Sequence, residues 1–585
     1  MAESLFSRIG EFLQGKRPWY KLPRLLAMPR LIEIRDELRQ KNLHDTEEPP
    51  LAAHDGPVGD AHRQGRAIDG AWNDLKCPLM GAAGRRFGRN VPLSETHPDP
   101  HLLEPSPRTV SRELMTRHSF QPATILNLMA ASWIQFMVHD WFVHKLSGQA
   151  VDIPLEPGDP WPDQPMKVLR TAPDPAPAGS TRPPAYVNEN SHWWDGSMIY
   201  GSDPITAAKI RVGQKGKVNV NSDGTLPIDP ATGLEISGFT DNGWVGLAML
   251  HGLFSLEHNA ICDALRARYP NKDDEWLFAK ARLANSALMA KIHTIEWTPA
   301  ILPHPVVQIA MNTNWNGITG DLQDVFEFLD NSEILGGIVG SKADHHTAPY
   351  SLTEEFVAVY RMHALMPDDY TLRSVTDNKE IRRLTLPEVS GARGRALARE
   401  IPFADLFYSF GRAYPGAIRL HNFPRHLQHL VRDDGAQMDL AAIDIFRDRE
   451  RGVPRYNRFR RLLRKEPVRN FEELTDDPVW REEIRRVYNN DIEQVDLMTG
   501  LYAEPLPDGF GFSETAFRIF VLMASRRLKS DRFFTDDFTP DIYTQTGLDW
   551  VKNNSMLTVL KRHFPAVAPA LDGVKNAFHP WKQVE

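Results

Sequence analysis

The chain has 585 residues, 42% hydrophobic and 25% charged, a balance that belongs to globular proteins and excludes collagenous and disordered classes. Its net charge of −8 excludes a general cationic field for nucleic acid, so no nucleic-acid partner is expected. Two cysteines, Cys77 and Cys262, are too few for a disulfide scaffold or a CxxC metal or redox site; two distant free thiols in a reducing, cytoplasmic compartment are expected.

Residues 1–45 are basic and amphipathic, with Phe6, Phe12, Trp19, Tyr20 and Leu25. An early acid and no apolar h-region argue against a secretory signal. The segment reads as a helical arm docked on the domain, or alternatively as a peripheral membrane contact. Residues 46–120 are rich in Gly, Pro, His and Asp, with little sustained period, and read as an irregular segment wrapping the core. No stretch reaches the ~18 consecutive apolar residues of a spanning helix.

Residues 121–585 read as one mainly α-helical catalytic core with few short strands. Apolar residues at i, i+3, i+4 spacing predict helices over 122–146, 244–269, 272–294, 401–431, 478–503, 512–533 and 546–563. The proline-dense stretch 150–186 predicts loop, because proline interrupts both helix and sheet. A monomer is expected.

Three constellations carry unusual polar residues. In ASWIQFMVHDWFVHK, Gln135 and His139 are four apart and share a helix face, while Asp140 points about 100° away. A buried ionised Asp needs a partner, and a cation would serve; by itself the segment also fits a satisfied core histidine and a surface Asp. In SHWWDGSMIYGSD, Ser191, Trp193, Asp195 and Ser197 alternate and offer hydroxyl, carbonyl and carboxylate oxygens, hard ligands suited to Ca²⁺; a Ser/Asp/Gly turn between aromatics fits equally. In EEFVAVYRMHALMPDDY, a helix is predicted up to Met366, before Pro367. Tyr360 and His363 then share a face, which suits a haem iron ligand beside a redox-active phenol; a hydrogen-bonded Tyr/His pair in a helical core fits too.

Taken together, QFMVHDW, SHWWDGSMIYGS, SLEHNAICD and VYRMHALMPD resemble the peroxidase–cyclooxygenase superfamily of haem proteins. AKIHTIEWT, PYSLTEEFVAVYRMH, IDIFRDRERGVPRYNRFRR and SETAFRIFVLMASRRLKSDRFFT are closer to its fatty acid α-dioxygenases, and the resemblance runs from about residue 20 to 565. It implies a helical fold around a buried haem b. It implies His139 as distal histidine, Gln135 as its neighbour, His363 as proximal iron ligand, Tyr360 as radical tyrosine and Asn422 as the acceptor of the proximal imidazole N–H. It also implies calcium ligation by Asp140, Ser191, the Trp193 carbonyl, Asp195 and Ser197. His293, Thr298 and Arg527 match the residues that bind the substrate carboxylate; Arg527 offers a bidentate fork that lysine lacks.

Two departures matter. The positions that carry haem esters in mammalian peroxidases fall on Val138 and near Gly243, so non-covalent haem is expected. Their catalytic arginine falls near Thr240, which argues against a high-turnover peroxidase. The function implied is α-dioxygenation of a fatty acid by O₂, with a hydroperoxide as activator. A phenol- or halide-oxidising peroxidase, a mid-chain fatty acid dioxygenase and a non-catalytic haem/calcium module are the rivals.

Overall fold

The computed structural model describes residues 18–177, 179–317, 333, 336–432 and 435–584. The first helix, α1 (Arg24–Lys41), buries Ala27, Leu31, Ile34 and Leu38, while Leu25 stays exposed. Just ahead of it Trp19 is buried, and its indole N–H donates to Glu514 at 3.1 Å. The described part of the N-terminal arm is therefore docked on the domain; Phe6 and Phe12 lie outside the described residues. No described helix is long and apolar enough to cross a membrane.

Residues 46–120 carry only short elements, among them Asp60–Gln64, Pro107–Val110 and a two-residue strand, Arg85–Arg86, paired with Val187–Asn188. The core helix α2 (Met129–Trp141) is shorter than the 122–146 expected. The chain leaves it at Phe142 in extended conformation and enters a hairpin of β1 (Leu146–Ile153) and β2 (Met166–Thr171), antiparallel with Val151 opposite Val168. The proline-dense stretch therefore holds a strand pair. Its prolines flank β2, and Ile153, Met166 and Val168 pack with Trp161, Ala442 and Phe446 in a small satellite core.

The long helices α3 (Val245–Arg268) and α4 (Asp274–Ile292) occupy the expected spans. Asp273 caps α4 by accepting from the Trp276 amide at 2.8 Å, with Asp274 and Glu275 favoured in its first turn. α4 continues through a π-helical turn, His293–Trp297, into Thr298–Ile301. The helix expected up to Met366 is shorter: α5 (Glu354–Val359) is capped by the Thr353 hydroxyl and ends at Tyr360, and His363 opens a separate 3₁₀ turn. The 401–431 span contains Phe403–Arg412 and Arg425–Gln428 with irregular chain between them. The 478–503 and 546–563 spans are likewise divided. α6 (Leu440–Glu450) lies under the hairpin, and α7 (Glu514–Lys529) starts at the Ser513 cap and ends in Arg526, Arg527 and Lys529. One hydrophobic cluster running from Trp19 to Val584 joins nearly all of these elements.

Candidate active site

α2 carries the first group of site residues. His139 is buried, with Nδ1 lacking a hydrogen-bond partner and the Phe239 ring 4.1 Å away. Burial, reinforced by neighbouring His251, pushes the His139 imidazole down to about 3, so it is neutral at pH 7. One turn earlier, Gln135 Oε1 accepts from the Trp244 indole at 2.8 Å and its amide donates to the Asn242 carbonyl at 3.5 Å. The segment 239–244 thus folds over the face shared by Gln135 and His139, with threonine at 240 and glycine at 243.

The other side of α2 presents Asp140. Its Oδ1 accepts from the Ser197 amide at 2.5 Å and the Ser197 hydroxyl at 2.9 Å, while Oδ2 has no donor. Asp195 is buried with neither oxygen hydrogen-bonded, 3.0 Å from Arg282. Burial and then the neighbouring Asp195 push the Asp140 carboxyl up to about 7. The Ser191 hydroxyl accepts from the Trp193 amide at 3.2 Å. Gly196, at φ 78°, makes the turn between Asp195 and Ser197; a Cβ there would come within 2.8 Å of Tyr200.

Arg527 projects from α7 into an aromatic cage. Its guanidinium carbon lies 4.1 Å from the Trp141 ring centre, 4.4 Å from Trp194 and 5.4 Å from Phe356. It is 2% exposed, and Nε and Nη2 have no acceptor. Tyr360 meets the same Trp141 edge-on at 5.1 Å and stacks on Phe520 at 4.4 Å. Burial holds its phenol far above the usual range, hence protonated. His293 sits between Trp141 and Trp194, each 5.2 Å away, and stacks on Trp297 at 4.7 Å. Its Nδ1 accepts from the Trp133 indole at 3.2 Å, which leaves Nε2 as the N–H donor. Burial, and then Arg527, hold it neutral. The π turn sets this position, a distortion common at functional sites. Thr298 is buried, but its hydroxyl donates to the His293 carbonyl at 2.9 Å, so it is not brought to Arg527 as a donor.

His363 stands apart from Tyr360, on the 3₁₀ turn, with its side chain 37% exposed. Its Nδ1 is 2.7 Å from Asp444 Oδ2. Asn422 does not hold this ring. Its carbonyl oxygen accepts from Arg117 Nε at 3.0 Å and from the Gln121 amide, and its NH₂ donates to the carbonyls of Gln121 and Ala417. That amide is spent on backbone and Arg117; the partner of the His363 imidazole is an aspartate on α6.

A helical chain with a buried histidine on α2 and a partly exposed one after α5 has the layout of a haem protein, and comparison with known sequences bears on it. The pattern of the family described as animal haem peroxidase matches residues 65–576. The chain belongs to the animal haem peroxidase family. Within it, Alpha-dioxygenase 2 of Arabidopsis thaliana is 38% identical over 96% of this chain and 91% of that protein. Alpha-dioxygenase PIOX of Nicotiana tabacum is 38% identical over 96% and 89%. A crystal structure of the Arabidopsis thaliana fatty acid alpha-dioxygenase superposes with a TM-score of 0.91 at 36% identity, covering 100% of this chain and 94% of that one. A tyrosine-to-phenylalanine variant of the Oryza sativa fatty acid alpha-dioxygenase, solved with palmitic acid, gives 0.90 at 35% identity, covering 100% and 99%.

Animal haem peroxidases are haem proteins, and the residues here fit that group: with Nδ1 of His363 on Asp444, Nε2 is the ring nitrogen left free to bind a metal. Three site residues were missed in the sequence. Asp444 stands in IDIFRDRE, an acid-rich helix that is buried almost throughout. His251, on α3, has an unpartnered Nδ1 and faces Phe136 at 5.0 Å; the signal was a lone polar residue in GLAMLHGLFSL. Trp133, the partner of His293, left no signal beyond its place on α2.

Proposed function

We propose that the chain is a haem-dependent fatty acid α-dioxygenase and that its substrate carboxylate is anchored by Arg527 and His293. The carrying observation is that one indole, Trp141, is flanked by the Arg527 guanidinium at 4.1 Å and by the Tyr360 ring at 5.1 Å. A buried guanidinium with two unpaired N–H groups calls for an anion. The α-carbon is one bond from the carboxylate, so a carboxylate on Arg527 keeps C2 near the phenol. A mid-chain carbon would need a different anchor.

Haem held through His363 would supply one-electron oxidising power, with a hydroperoxide as the terminal oxidant. His139 is neutral and buried, able to accept and return a proton at that face, with Gln135 beside it on the same helix side. Tyr360 would give up its hydroxyl hydrogen, electron and proton together, to that oxidant. The phenoxyl takes a hydrogen atom from C2, O₂ adds there, and the peroxyl takes the hydrogen back to leave a 2-hydroperoxy acid. That acid can lose CO₂ and water to give an aldehyde one carbon shorter. Valine at 138 and glycine at 243 offer no ester link, so haem is held without a covalent bond to these positions.

Calcium belongs to the same proposal. Among the described residues no cluster of three or more His, Cys, Asp or Glu could hold a metal. The site rests instead on two carboxylates, Asp140 and Asp195, with oxygens of Ser191, Trp193 and Ser197. The orphaned Asp140 Oδ2 and Asp195 Oδ1 support it, since buried carboxylate oxygens want a cation or a donor.

Haem-reconstituted protein should consume O₂ with saturated palmitate and not with the matching alcohol. Tyr360→Phe should abolish uptake while the Soret band persists. Uptake retained in that variant, or guaiacol oxidation without fatty acid at comparable rate, would overturn the reading.

A further inference from the structure

The contact between α6 and the 3₁₀ turn is short, buried and charged. Asp444 is 7% exposed, and its Oδ2 is 2.7 Å from His363 Nδ1. Its other oxygen is 3.7 Å from Arg361 Nε. Arg361 is shared between two carboxylates. The close contact of that guanidinium is with Asp448, one turn along α6, where Nη1 lies 2.8 Å from Oδ1. Nη1 also donates to the Asp444 backbone carbonyl, which fixes the helix against the turn. The Tyr502 hydroxyl donates to the Arg361 carbonyl at 3.0 Å and steadies that residue in turn. Two carboxylates share one guanidinium, and Asp444 is the one that also reaches the imidazole.

We propose that Asp444 is a positioning residue that acts through its charge: it makes His363 an electron-rich, imidazolate-like donor and so biases bound haem iron toward the ferric state. The inference rests on the reading of His363 as the iron ligand. An amide acceptor would orient the ring as well as a carboxylate does, but would not draw the Nδ1 proton as strongly. A carboxylate raises the basicity of the nitrogen that remains for the metal, and axial-ligand strength is one lever on haem potential. The chemistry gives the bias a use. Oxygen has to meet a carbon radical at C2, and ferrous iron would compete for it. Neither Asn422, committed to Arg117 and backbone, nor another described residue takes the Nδ1 position.

The test uses full-length holoprotein and the variants Asp444→Asn and Asp444→Glu. The ferric/ferrous equilibrium is read against redox dyes, and the iron–imidazole stretch by resonance Raman on the ferrous form. Asp444→Asn keeps an acceptor and removes the charge. It is expected to shift the equilibrium at least tenfold toward ferrous and to lower the stretching frequency, with Asp444→Glu retaining most of both. An Asp444→Asn protein that matches the unsubstituted one in both readouts overturns the inference, because an orienting role alone would be preserved. Should that variant not retain haem, the stretch of the unsubstituted protein decides: a frequency in the range of carboxylate-paired imidazoles supports the inference, and one in the range of carbonyl-paired imidazoles overturns it. Oxygen uptake with palmitate tests the dioxygenase reading separately, so uptake together with an unmoved equilibrium sinks only the role of Asp444.

Discussion

The guanidinium carbon of Arg527 lies 4.1 Å from the Trp141 ring centre, while Tyr360 meets the same ring at 87°. The indole acts as a spacer between cation and phenol, and the cation–π contact helps hold a buried charge that has unpaired N–H groups. Arg527→Ala should therefore weaken palmitate binding by about 2–5 kcal/mol. Arg527→Lys should not restore it, since an ammonium lacks the planar fork. Calorimetric titration of the holoprotein checks both; an unchanged dissociation constant in either variant removes the anchor.

Trp133 fixes the tautomer of His293 through a 3.2 Å hydrogen bond to Nδ1. Trp133→Phe keeps the aromatic packing and drops the donor. The loss of one buried hydrogen bond costs about 1 kcal/mol, so the KM for palmitate should rise roughly fivefold with kcat little changed. A fall in kcat at constant KM would place His293 in the chemical step instead.

Acid should destabilise the fold in a defined window. Burial lowers His144, His251 and His258 from 6.5 to about 4 each. Below 6.5 the unfolded chain takes up protons that the folded chain refuses, so stability falls as pH falls. The contribution of these imidazoles is complete above about 6.5 and is lost progressively toward 4. Denaturant midpoints measured from pH 7.5 to 4.5 should decline across that range, and His251→Phe should flatten the decline. A midpoint that rises on acidification would contradict the buried neutral state.

A chelator should lower the thermal midpoint if Asp140 and Asp195 share Ca²⁺. A ligand at 100 times its dissociation constant stabilises the folded state by about 2.7 kcal/mol. Asp195→Asn should melt at the same temperature with and without calcium. A midpoint in the unsubstituted protein that ignores both chelator and added Ca²⁺ would show that Arg282, 3.0 Å from Asp195, is the counter-charge on its own.

The helices α3, α4 and α7 were legible in the sequence because each carries a long apolar stripe, and α4 and α7 also start on an acidic or hydroxyl cap. The break at Tyr360 was not. No glycine or proline marks it, and the chain is redirected by partners remote in sequence, Arg361 reaching Asp444 and Asp448 while His363 reaches Asp444. The same long-range pairing explains why Asn422 looked like the imidazole partner: side-chain type was visible, but the commitment of its amide to Arg117, Gln121 and Ala417 was not. The hairpin β1–β2 was hidden because its strands are set among prolines, and its inner residues pack against α6. Gln135, His139 and Asp140 were legible as a set, since helical geometry alone separates the two faces.

The most direct measurement follows the hydrogen that Tyr360 is held to remove. Haem-loaded protein is supplied with palmitic acid dideuterated at C2 under O₂, and the products are read by mass spectrometry together with the rate of oxygen uptake. Loss of one deuterium from C2, both atoms of one O₂ at that carbon, a slower rate than with unlabelled acid, and a fifteen-carbon aldehyde are the expected result. Product that keeps both deuteriums and carries oxygen further along the chain would contradict the placement of the carboxylate on Arg527.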